Sequence, residues 1–290
     1  MAERKPKRAA AAAGFDLPAE QSRVMKSKWE SRDKAAGPAA PVGVKALGLA
    51  RPLAPKEKRL VGAGDSWFQY GLFRDVLDCL QDDFGYDIRK EAAPGATCNT
   101  LVYEWLTNAL PLIKSHQPKA FLFSGGGNDI AGPEFILMLN HQRSGLPALN
   151  RGVAEAVVAS LRHAYETMIK LTNHYCATEY REIVPIVVHG YADPVPDGRG
   201  VIWFGPWLGP SFDKMGWDDM EVRKAVMREV MGLFNAMLAG LSRDFNNVHH
   251  LDLRNVLSQT PADWANELHP TAKGFEKVAE AFDALIRKLP

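Results

Sequence analysis

Three short segments of this 290-residue chain hold side chains that could act together on a carbonyl group. The first is Gly64-Asp65-Ser66, whose hydroxyl becomes a nucleophile only if a base takes its proton. The second is Ser124-Gly125-Gly126-Gly127-Asn128-Asp129. Its glycines let backbone approach a ligand, and the Asn128 amide can donate to an oxyanion. The third is Trp264-Ala265-Asn266-Glu267-Leu268-His269-Pro270, in which Pro270 restrains the backbone of a histidine able to serve as that base. Each segment alone also has a plain structural reading. Gly-Asp-Ser is a common strand-to-helix cap. A glycine run capped by Asn128 or Asp129 makes a tight turn, and a single histidine is more often structural. On residue type alone Ser124 competes with Ser66. Other chemistries find no support. G-x-S-x-G, G-x-G-x-x-G and Walker patterns do not occur. The histidines lack metal-ligand spacing, and Cys79, Cys98 and Cys176 form no C-x-x-C pair, so no metal, cofactor or disulfide framework is expected.

The elements that must position these segments are legible as alternating patterns. RLVGAG, YDIRKEAA, KAFLFSGGG, REIVPIVVHG and VHHLDLR read as five strands. Helical spacing follows at Leu72, Phe73, Val76, Leu77, Leu80 and Phe84, then over Thr100 to Ser115, Val153 to Cys176, Met220 to Arg243 and Ala272 to Leu289. Strands alternating with helices predict a parallel sheet covered on both faces, a doubly wound three-layer α/β domain. Ser66 and Ser124 then fall at carboxyl ends of strands, where such sheets bind ligands. The connection at about 190–219 is long, without period, and rich in Pro, Gly and Trp. Long connections of this kind are often binding loops. With Trp67 beside the serine, its Trp203 and Trp207 are candidate pocket residues, although a satellite core beneath the loop would use the same side chains.

The three segments, in this order, resemble the SGNH/GDSL hydrolase family over about Leu60 to Leu285. The resemblance implies a flavodoxin-like α/β/α sandwich with a five-stranded parallel sheet. It implies Ser66, rather than Ser124, as nucleophile and His269 as general base. It also implies an oxyanion hole from the N–H groups of Ser66 and Gly95 and the Asn128 side chain, with Gly95 standing in Ala93-Pro94-Gly95-Ala96. The activity implied is hydrolysis of carboxylic esters through an acyl-enzyme. One position departs: three residues before His269, where the family has aspartate, stands Asn266. Asp263 is taken as the orienting acid. Asn266 in that role, or a Ser–His dyad, stays open, and Glu267 and Asp252 are weaker candidates.

Composition sets the remaining bounds. A net charge of +1 gives no reason to expect nucleic acid as a partner. No stretch is apolar for long enough to span a bilayer, and the basic, alanine-rich start lacks a hydrophobic signal core, so a cytoplasmic location is expected. Residues 1–57 read as a disordered basic arm and 58–290 as the hydrolase domain. The expected partner is a small-molecule, lipid or sugar ester. A deacetylase of acetylated sugars and a catalytically silent binding protein on the same fold are the alternatives.

Overall fold

The computed structural model describes residues 54–71, 74–201 and 205–290. The predicted arm therefore lies almost wholly outside the described residues, as do Trp203 and Phe204. Five strands form one sheet: β1 (Arg59–Gly64), β2 (Asp87–Ala92), β3 (Ala120–Ser124), β4 (Ile186–Gly190) and β5 (Val248–Asp252). Their order is β2-β1-β3-β4-β5 and every pairing is parallel. Burial follows position. The inner strands β1, β3 and β4 are buried throughout, as strands covered on both faces must be, while the edges β2 and β5 are mostly half-buried.

The helices are α1 (Val76–Phe84), α2 (Leu106–His116), α3 (Gly127–Ile130), α4 (Arg151–Tyr175), α5 (Gly209–Lys214), α6 (Met220–Asp244) and α7 (Ala272–Ile286). α1 packs on α7, with α1 against β2 and α7 against β5. α4 packs on α6, α2 covers β1 and β2, and α6 covers β4 and β5. These contacts make the expected three layers. Local chemistry sets the helix starts. Asp75 caps α1 in a reciprocal capping box with Asp78, which starts the helix at Val76; Leu72 and Phe73, which the spacing had included, lie outside the described residues. Asp219 and Thr271 cap α6 and α7 through their side chains. The predicted helix from Thr100 is split: wide turns over Thr100–Trp105 lead into α2, which carries Pro111. The segment 190–219 contains the short helix α5, which its aperiodic sequence did not announce. Among the described residues no helix is long and apolar enough to cross a membrane.

Candidate active site

Ser66 sits one residue beyond Asp65 at the carboxyl end of β1, on a turn built by that aspartate. The Asp65 backbone N–H bonds to Ser124 O at 3.1 Å, and its carbonyl accepts from Phe68 and Gln69 N–H. Its carboxylate accepts from Trp67 N–H at 3.0 Å, from Ser124 Oγ at 2.8 Å, and from the Tyr191 hydroxyl. Burial pushes the Asp65 carboxyl up to about 6 despite these donors. One side chain thus ties together the ends of β1 and β3 and the segment after β4. Gly64 is required by close approach, because a Cβ there would stand 2.8 Å from Ser124 Cβ and 2.9 Å from the Phe68 ring. Ser124, the rival nucleophile, is fully buried and donates to Asp65, so it is part of this scaffold.

His269 is buried in the loop before α7 and meets Ser66: Nε2 lies 2.8 Å from Ser66 Oγ. Its Nδ1 lies 3.0 Å from Asn266 Oδ1. The same oxygen accepts from the backbone N–H groups of Leu268 at 2.9 Å and His269 at 3.0 Å. The Asn266 amide nitrogen donates to the Tyr70 hydroxyl at 3.0 Å. These partners fix the amide orientation, since a flipped amide would aim N–H at two N–H donors. With oxygen facing it, His269 Nδ1 must carry the proton, and the lone pair of Nε2 faces the serine. Tyr70 stacks on the imidazole at 4.3 Å and Trp207 meets it edge-on at 5.6 Å. Burial lowers the His269 pKa to about 3, so the ring is neutral well into acid.

The structure does not bring Asp263 to His269, where Asn266 stands instead. The Asp263 carboxylate accepts from Ser258 N–H and Oγ at 2.8 and 2.6 Å and from Lys277 Nζ at 2.7 Å. The Lys277 and Ser258 donors hold its pKa down at about 2. Proximity in sequence was a poor guide because Thr271 N–H and Asp263 O close the loop at 2.8 Å, and α7 then presents Lys277 to Asp263. Nor does Glu267 serve His269. It is fully buried, and its carboxylate accepts four backbone N–H groups, from Gly198, Trp207, Leu208 and Gly209, at 2.6–2.9 Å. Sequence reasoning missed this clasp between the His269 loop and the long connection. The available signal was a glutamate two residues before the histidine in an otherwise uncharged stretch, Trp264 to Pro270. Asp252 pairs with Arg254.

The remaining expected residues lie on the same edge of the sheet. The Asn128 side chain donates to Ala96 O at 2.9 Å, and Asp129 accepts from Cys98 N–H at 2.9 Å, which locks the segment after β3 to the one after β2. Gly95, in that second segment, is exposed with φ 79° and open space where a side chain would be, so its backbone can be approached closely. Trp67 lines the cavity beside Ser66, and its indole N–H bonds to Leu268 O at 3.1 Å, pinning the His269 loop. Trp207 lies against His269 and outside the cavity wall, to which the long connection contributes Tyr191, Ala192, Pro194 and Leu208 instead. Among the described residues no cluster of His, Cys, Asp or Glu is arranged to hold a metal, and all three cysteines are free and buried.

The chain can be compared with known proteins on this basis. No match was found among curated proteins by sequence. Similar solved structures include the esterase EstA of a Pseudoalteromonas species, at TM-score 0.46 and 14% identity, covering 80% of this chain and 97% of that one. An acetylxylan esterase from Geobacillus stearothermophilus gives TM-score 0.46 and 14% identity over 79% of this chain and 94% of its own. The model of the GDSL-like lipase/acylhydrolase family matches residues 61–277, which takes in all three segments above, and the chain belongs to that family.

Proposed function

We propose that this protein hydrolyses carboxylic esters through an acyl-enzyme on Ser66. The observation that carries the reading is the hydrogen-bonded chain from Ser66 Oγ to His269 Nε2 and from His269 Nδ1 to Asn266 Oδ1, at 2.8 and 3.0 Å. His269 takes the Ser66 proton as Oγ attacks the ester carbonyl. The tetrahedral oxyanion is held by the N–H groups of Ser66 and Gly95 and the Asn128 amide, at about 3–4 kcal/mol per donor. The imidazolium then protonates the departing alkoxide, and a water activated by His269 releases the acid. Asn266 brings no charge to stabilise that imidazolium. It keeps the reactive tautomer in place, and the face of the Tyr70 ring supplies a weaker attraction for the cation.

The test is Ser66→Ala with p-nitrophenyl acetate and a fluorophosphonate probe. Activity should fall by about a thousandfold or more, labelling should vanish, and the melting temperature should hold. Retention of more than about a thousandth of kcat would show that Ser66 is not the nucleophile.

A further inference from the structure

Beside Ser66 lies a cavity of about 40 Å³. A water needs roughly 10–15 Å³ on this measure, and a space of about 150 Å³ accepts benzene, so there is room for roughly two or three non-hydrogen atoms. Ser66, Asn128 and His269 line it, and most of the remaining wall is apolar, including Ile130, Leu208, Met227 and Met231. Two features fix its size. Leu208 is anchored, because its N–H and those of both its neighbours are bonded to the buried Glu267 carboxylate. Met227 and Met231 stand one turn apart on α6, only 1% and 4% exposed.

Resting on the ester-hydrolase reading above, we propose that this cavity receives the acyl group and limits it to short chains, acetyl to about butyryl, with Met227 and Met231 setting the length. The two halves of an ester place different demands on the site. The alcohol departs in the first half-reaction with a proton from His269, and it needs a route to water. The acyl group becomes bonded to Ser66 Oγ in the first half-reaction and is released by water only in the second, so it occupies the site in both, and a short hydrocarbon stub can be buried in apolar surroundings without stranding a polar atom. Methionine is the flexible filler among apolar side chains, so this wall adapts to a slightly longer stub and, being packed in the core, still closes the far end. The substrates are esters of short acids on alcohols that remain outside the cavity.

The experiment measures kcat/KM for p-nitrophenyl acetate, butyrate and octanoate, normalised to Ser66 titrated with a fluorophosphonate so that only folded sites count. The wild type should favour acetate or butyrate over octanoate by at least about tenfold. Met231→Ala should raise the octanoate-to-acetate ratio by about tenfold. Ala131→Val, which narrows the same cavity and needs no loss of packing, should lower butyrate relative to acetate. Equal use of octanoate and acetate by the wild type would overturn the proposal. So would ratios unmoved by both variants, or a flat acyl series beside a steep dependence on the alcohol in a series of acetates. A protein that labels with the probe and yet prefers long chains loses only the short-acyl assignment. A protein that neither labels nor hydrolyses any ester loses the underlying reading as well.

Discussion

Ser66 and His269 meet at 2.8 Å, yet the two regions that bring them there are built differently. The serine stands where an inner strand ends. Its turn is determined by neighbours in the sheet: Gly64 beside Ser124, Asp65 bonded to Ser124 and Tyr191. The histidine stands in an irregular loop where side chains do the positioning. Three polar side chains within five residues go three ways. Asp263 turns to Ser258 and Lys277, Asn266 turns to His269, and Glu267 turns to the long connection. A strand end in a parallel sheet tolerates few arrangements. A loop between a strand and a helix tolerates many, and the choice rests on which donors the surrounding chain leaves without partners.

The strongest way to test this difference is at Asn266. Asn266→Ala removes the acceptor of His269 Nδ1–H and of two backbone N–H groups together. The proton is then free to sit on either ring nitrogen, and kcat should drop by about a hundredfold or more, the scale of general base catalysis. Asn266→Asp should act in the opposite sense on the base. His269 is held near pKa 3, below its ordinary 6.5, by burial. The stability gained from burying it neutral is therefore present above pH 6.5 and is lost as pH falls toward 3. A carboxylate at Nδ1 favours the imidazolium, raises the pKa, moves the acid limb of kcat/KM toward neutrality and lessens that acid lability. A pH profile of the two variants beside the wild type checks both statements. An unmoved acid limb in Asn266→Asp would show that position 266 does not govern the base.

The legibility of the sequence followed the same division. The inner strands β1, β3 and β4 could be read from apolar runs such as KAFLFSGGG because burial on both faces leaves little choice of residue, while the half-buried edges β2 and β5 showed as short mixed runs between helices. The placement of Ser66, Asn128 and His269 at one edge follows from that topology. The partner of His269 could not be read in this way. Asp263 is the more plausible acid by charge, but the bond from Thr271 N–H to its carbonyl and the ammonium of Lys277 on α7 are tertiary facts. The same holds for Glu267, whose four donors lie 58 to 69 residues away in the chain.

A smaller effect on chemistry is expected at Glu267. Glu267→Gln keeps one acceptor and turns an N–H₂ group toward donors that now lack one. Hydrogen bonds to a charged group contribute about 1.5–3 kcal/mol each, so stability should fall by about 3 kcal/mol, or roughly 6–12 °C in Tm for a domain of this size. Trp207, bonded through its N–H to Glu267, packs against His269. Displacing it should reduce kcat/KM by about tenfold to a hundredfold in the molecules that stay folded. Thermal melts and probe-titrated kinetics on one preparation separate the two effects. A variant with wild-type Tm would show that the clasp contributes nothing to holding the connection.

The smallest expected change is at Asp263, and it is the sharpest check on the comparison because the sequence reading took that residue as the orienting acid. If a carboxylate at 263 oriented the base, Asp263→Asn would cost about four powers of ten in kcat. With the carboxylate bonded to Ser258 and Lys277 instead, the variant should keep kcat and KM within about threefold, far below that triad scale. What it loses is a partly exposed ion pair, since Lys277 is half exposed, and such pairs contribute about 1 kcal/mol or less. The loss has a defined pH window. The Asp263 pKa is lowered from 3.8 to about 2, so its contribution is present above about 4 and disappears as pH falls toward 2. Wild type and variant should therefore differ slightly in Tm at pH 7 and converge at the acid end, with unchanged ester hydrolysis at neutral pH. A thousandfold loss of kcat at an intact Tm would return the carboxylate to the base and undo the distinction between the two regions.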